Sequence, residues 1–194
     1  MPADNFMWFT AAAKGGQLSE AATKPQGETT DNWFAKLGAF EVKNVTFDIE
    51  QAESAGSATG GAGVGKAKFG TFKITRDVDL ASAPMFQACC AGAHFPAVML
   101  ACRKASGEKL IYLQYCFRMV YVTNMNWSGG GGDEAPVENI EFVYGGMGVQ
   151  YCRQLPTGAP DTPIVAMWSA LQNKATLDLP NLGATPAFLS PGQA

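Results

Sequence analysis

Apolar and polar positions alternate along much of this chain, and the points where the alternation stops mark its elements. Phe6-Met7-Trp8-Phe9-Thr10 suits a first short strand. Residues 13–32 show no apolar periodicity, so residues 11–36 are predicted to form a surface loop. Over 39–51 the alternation returns with a slip: Phe40 and Val42 share one parity, and Val45, Phe47 and Ile49 the other. A strand changes parity by inserting a residue, which predicts a β-bulge near Lys43-Asn44. Residues 52–66 are Gly, Ala, Ser and Thr with little else, and nothing in them builds a core. A loop of that length inside a compact domain is either functional or without fixed structure.

Residues 69–78 resume as a strand, with Phe72 and Ile74 opposed to Thr71, Lys73 and Thr75. A helix of about ten residues follows by capping logic, with Ser82 as N-cap, Pro84 in the first turn and Gly92 just past the end. Met85 with Cys89, and Phe86 with Cys90, give it an apolar face at i,i+4 spacing. Residues 95–104 and 109–123 read as a hairpin around Ala105-Ser106-Gly107-Glu108. The second arm is apolar on both parities, so both its faces should be covered, by this chain or by a neighbour. Ser128–Pro136 is a glycine-rich loop, and 137–152 a last long strand. Its phase slips at Gly145-Gly146, where a second bulge or a sharp bend belongs. Beyond Leu155 prolines recur, only Ile164–Trp168 reads as a strand, and the last eighteen or so residues are expected to be an extended, poorly ordered tail. The pattern as a whole predicts a mainly β domain with one short helix.

Composition narrows the surface. Charged residues are 16% of the 194, against roughly 25% in a typical soluble domain, while hydrophobic content is 47%. A chain short of charge has less solvated surface, which points to exterior that becomes interface. With 14 basic and 17 acidic residues and no basic cluster, nucleic-acid binding has little support. The apolar runs are far short of a membrane span. Met1-Pro2-Ala3-Asp4-Asn5 lacks the blocks of a signal peptide, so folding in the cytoplasm is expected.

Candidate chemistry is sparse. Cys89, Cys90, Cys102, Cys116 and Cys152 match no zinc or redox spacing and read mostly as small core residues. A Cys90–His94 nucleophile pair has no third orienting group, and His94 is better read as packing a turn. Glu138 and Glu141 stand three apart on a strand and point to opposite faces, which excludes a glycosidase pair. Gly129–Gly132 lacks the Lys-Ser/Thr of a phosphate-binding loop. No catalytic, cofactor or metal residue is assigned.

The order of elements, together with Phe72-Lys73-Ile74-Thr75-Arg76-Asp77-Val78-Asp79, Gly92-Ala93-His94-Phe95-Pro96, Arg103-Lys104-Ala105-Ser106-Gly107 and Glu138-Asn139-Ile140, resembles the Hcp family. These hemolysin-coregulated proteins form the inner tube of the bacterial type VI secretion system. The resemblance covers roughly 36–153, and Met167-Trp168 with Gln172-Asn173 echoes the family's last strand. It implies a two-sheet β-barrel over 1–176 with a helix at about 82–91 on its side. It implies hexameric rings stacked head-to-tail, sheath and spike or baseplate partners, small effectors in the lumen, and secretion after cytoplasmic assembly. By the same analogy the 52–66 loop is the inter-ring arm, with Gly56, Gly60, Gly61, Gly63, Val64 and Gly65 as its contact residues. Ser82, Pro84, Gly92, His94, Pro96, Gly145 and Gly146 are its structural motif. The 11–36 loop and the 177–194 tail look longer than in compact members. A phage or contractile-injection tail-tube protein is the nearest rival, and a small secreted β-sandwich binding protein or effector a more distant one.

Overall fold

The computed structural model describes residues 3–53, 64–105, 109–129 and 136–192. The strands are β1 (Ala3–Phe9), β2 (Phe40–Glu41), β3 (Asn44–Thr46), β4 (Ile49–Glu53), β5 (Val64–Phe69), β6 (Phe72–Asp77), β7 (His94–Lys104), β8 (Ile111–Ser128), β9 (Val137–Tyr151) and β10 (Ile164–Ser169). A single helical turn, α1 (Glu20–Thr23), and the ten-residue α2 (Ser82–Ala91) complete them, with a 3-10 turn at Phe34–Leu37. The two sheets are unequal. One runs β2-β1-β7-β8-β9-β6-β3, with β10 joined to the far half of β9, and curls into a half-barrel; the other is the β4–β5 hairpin.

The curl has a local cause. Across three neighbouring strands, the register sets Pro96 opposite Met119 and Met119 opposite Gly145. Proline has no N–H to give the ladder, and Met119 takes φ 54°. On either side of this row the inward parity changes. In β8, Phe117 and then Val120 and Val122 face the main core; in β7, Phe95 and then Val98 and Leu100 do. The sheet bends along one line, while the β8–β9 register runs unshifted from Leu113↔Tyr151 to Val122↔Phe142. The phase slip expected at Gly145-Gly146 is therefore a bend, not an inserted residue. Room for it is tight: a Cβ on Gly145 would lie 2.6 Å from Leu171 Cδ1. Gly145→Val should cost about 1–3 kcal/mol by overpacking, read as a lower urea midpoint at unchanged slope.

The main core is aromatic-rich and lies inside the curl, with Phe9, Phe40, Phe72, Phe95, Phe117 and Phe142 each nearly inaccessible. A second cluster covers the opposite face of β1 and β7 with Phe6, Trp8, Phe34, Met99, Ala101, Ile111, Cys116 and Leu177. The two-sided apolar character of the hairpin is thus met largely within the chain.

Five sequence expectations change. Residues 11–36 are not a free loop: Ala22 and Phe34 are fully buried, and Asp31 pairs with the buried Arg103 at 2.7 Å. The 39–51 segment is not one bulged strand but three short ones, since after Val42 the chain leaves β1 to pair with β6. Ser82 is the first helical residue rather than the cap; Ala81 holds the cap position. The tail is extended but anchored, with Leu177, Leu179 and Leu182 buried. On α2 the buried positions are Ser82, Met85 and Ala88, while Phe86 and Cys90 are exposed. Gly92 does end the helix at φ 61°, its N–H donating to Cys89 O.

Candidate assembly surface

Period-2 phasing puts Arg76 on the core face of β6 with Phe72 and Ile74, and Glu138 on the core face of β9 with Ile140 and Phe142. The two meet there fully buried. Arg76 Nε donates to Glu138 Oε1 at 2.7 Å, and Nη2 reaches the Ser82 hydroxyl at 3.2 Å and the Asp79 carboxylate. Ser82 Oγ donates to Glu138 Oε1 at 2.8 Å, and Trp127 Nε1 to Oε2 at 2.9 Å. The Arg76 guanidinium also stacks 4.2 Å over the Phe40 ring. This knot fastens α2 to the sheet. It is structural, since Arg76 and Glu138 are fully buried and each is bonded to more than one neighbour.

The motif residues fall into two sets. Ser82, Pro84 and Gly92 shape α2; Pro96, Gly145 and Gly146 lie on or beside the bend. His94 opens β7, exchanging backbone hydrogen bonds with Lys14 and setting its ring 5.4 Å from Tyr121. Partial burial, then the Lys14 charge, lower its pKa. Met119 and Arg76 carry parts of this architecture that the sequence reading did not single out. Of the arm residues, Gly56, Gly60, Gly61 and Gly63 lie outside the described residues. Val64 and Gly65 open β5, with Val64 opposite Glu53.

The exposed chemistry is apolar. On β10, Ile164 is 74% exposed and Val165 43%, with Met167 and Trp168 also open. Neighbouring residues of a strand point to opposite faces, so both faces of β10 are uncovered. No further strand pairs its outer edge among the described residues. Met147 and Val149 of β9, with Ile49, Ala67 and Phe69 of the hairpin, continue the patch as a shallow cleft beside Met167 and Trp168. An unpaired edge with apolar side chains on both faces is a template for another chain.

Cysteine chemistry is muted. Cys102 and Cys116 are buried, which pushes each thiol up to about 11. Folding protects the protonated thiols. The stability tied to them is present below pH 9, the ordinary value, and falls as pH rises from 9 through 11, where the unfolded chain binds fewer protons. Iodoacetamide at pH 8 should modify the exposed Cys90 first and spare Cys102 and Cys116 until urea is added, as peptide mass mapping would show. Native-state labelling of Cys116 would contradict this. Among the described residues no group of three or more His, Cys, Asp or Glu is placed to hold a metal, and no helix is long and apolar enough to cross a membrane.

Comparison with known proteins agrees with this geometry. The family model described as type VI secretion system effector, Hcp, matches residues 14–151. Protein hcp1 of Pseudomonas aeruginosa is 32% identical over 102 residues, which is 52% of this chain and 63% of that protein, so the match spans less than two thirds of the relative's length. A solved type six secretion system protein superposes with a TM-score of 0.73 at 27% identity, covering 89% of this chain and 99% of the other. Hcp1 from Salmonella typhimurium superposes with a TM-score of 0.66 at 24% identity, covering 91% and 100%, a likeness of fold alone.

Proposed function

The chain belongs to the Hcp family of type VI secretion proteins, and from that premise we propose that it is a structural subunit that closes into hexameric rings, which stack head-to-tail as the secretion inner tube. The family makes it a tube component rather than an enzyme. The observation that supports ring closure is the open β10 edge. Its apolar side chains on both faces, beside the β4–β5 hairpin, suit edge-to-edge association with an identical copy. A head-to-tail contact that does not close on itself extends without limit, and this suits stacking of the closed rings into a tube. The 52–66 segment serves as the inter-ring arm in this reading, the lumen carries small effectors, and the tube leaves the cell with its sheath and spike partners.

A ring-to-ring contact made by one arm per subunit is weak alone, and several must form together. Purified protein at micromolar concentration should therefore sediment as rings, not long tubes.

Light scattering after size exclusion tests the edge. The intact chain should elute as a hexamer. Ile164→Lys with Val165→Lys places charge on both faces of an already exposed strand, leaving the fold stable to within about 0.5 kcal/mol while the mass falls to that of a monomer. A double variant that stays hexameric rules out β10 as the ring contact.

A further inference from the structure

We infer that the face of β8 and β9 beyond the bend is a binding groove for an extended peptide, and that residues 177–192 fill it in cis as a displaceable ligand. Gln114, Arg118 and Gln150 all project from this face, and each is at least nine-tenths buried. Their hydrogen-bond partners are main-chain atoms of the tail. Gln114 reads both sides of one residue, with Nε2 donating to Leu189 O at 2.8 Å and Oε1 accepting from Leu189 N–H at 2.9 Å. Gln150 Nε2 donates to the same carbonyl at 3.2 Å. Arg118 donates to Gly183 O at 2.8 Å and to Ala184 O at 3.2 Å. None of these bonds depends on which side chains the tail carries. Recognition through main-chain hydrogen bonds, with pockets for selected side chains, is a general way to hold an extended peptide.

The pockets are present. Gly146 and Gly148 leave a slot for Leu177; a Cβ on Gly148 would lie 2.8 Å from Leu177 Cδ1 and 3.3 Å from the Phe188 ring. Leu177, Phe188 and Leu189 then pack on the second apolar cluster. Ile111 N–H donates to Pro191 O at 3.0 Å and holds the far end.

The tail is built to come off as a unit. It pairs with no strand, and Pro180, Pro186 and Pro191 deny it three main-chain donors. Segments without a backbone ladder open at the low end of a protein's local stability. The family match ends at residue 151, so it includes all three groove side chains and none of the tail. The ligand class is an extended, proline-tolerant peptide with large apolar residues spaced as Leu177 and Phe188-Leu189 are. The inference does not depend on ring formation.

The test keeps the whole chain. A specific protease site is inserted after the exposed Lys174 and cut, and fluorescent peptide 175–192 is added. The cut protein should exchange its own tail for the labelled one, and the uncut protein should take up much less. Gln114→Leu with Gln150→Leu in the cut protein should weaken uptake about tenfold or more, the worth of a few hydrogen bonds. A peptide with serine at the Leu177 and Leu189 positions should fail to compete. Hydrogen exchange on the intact chain gives a second reading: amides of 177–192 should exchange faster than those of β7 and β8. No uptake, equal uptake by cut and uncut protein, precipitation on cutting, or tail protection equal to that of β7 would each overturn the proposal.

Discussion

Glu138→Ala is expected to lower stability by about 3–5 kcal/mol, because it takes from the buried Arg76 guanidinium the fully buried one of its two carboxylate partners. Both residues are wholly inaccessible, so water cannot take over the lost contacts. Asp79 remains bonded to Nη2, which places the loss within that range rather than above it. Ser82 and Trp127 lose their acceptor in the same step, and α2 loses its fastening to β9. Equilibrium urea unfolding of the wild type and the variant reads the difference directly. Replacing both partners with leucine should recover much of the loss, since apolar replacement of a buried pair is often near neutral. A single variant within about 1 kcal/mol of wild type would show that the pair is not the anchor described.

Phe117→Ala is the second large effect, again about 3–5 kcal/mol. Phe117 is the hub of the main core. Its ring stacks on Phe72 at 4.4 Å, meets Tyr144 edge-on at 5.1 Å and Phe47 at 5.9 Å. Those rings come from β6, β9 and the β3–β4 link, and they are held by strand pairing that cannot close inward around a void. The cavity therefore persists, and its cost adds to the lost transfer energy. The same unfolding measurement checks it. Phe117→Leu, which fills part of the space, should lose distinctly less; equal losses would mean that the site collapses freely.

Strand periodicity made the central half of this fold legible. The C-terminal end of α2 at Gly92, the β7–β8 hairpin and β10 lie where apolar phase and capping residues put them, although α2 starts with Ser82 inside it and β8 runs on to Ser128. The same phase carries one more signal. Arg76 shares parity with Phe72 and Ile74, and Glu138 with Ile140 and Phe142, so two opposite charges on core faces had to meet or be lost. The bend at Pro96, Met119 and Gly145 was only half visible. Gly145-Gly146 marked it on one strand, but a left-handed methionine carries no composition cue, and apolar residues on both parities of β8 looked like two-sided burial alone. The 11–36 and 177–192 segments were misread for one shared reason. They bury scattered residues such as Ala22, Phe34, Leu177 and Leu182 through irregular backbone, and a search for periodicity cannot register burial without a period. The exposed apolar surface was legible only as a shortage of charge; that it concentrates at β10 required the pairing of strands.

Negative-stain electron microscopy of the purified chain bears most directly on the claim that this protein works as a closed circle of identical copies. Class averages should show hollow rings with sixfold symmetry, and those rings should vanish when Ile164 and Val165 both become lysine. A field of single small particles at every concentration, with the fold intact by circular dichroism, would contradict it.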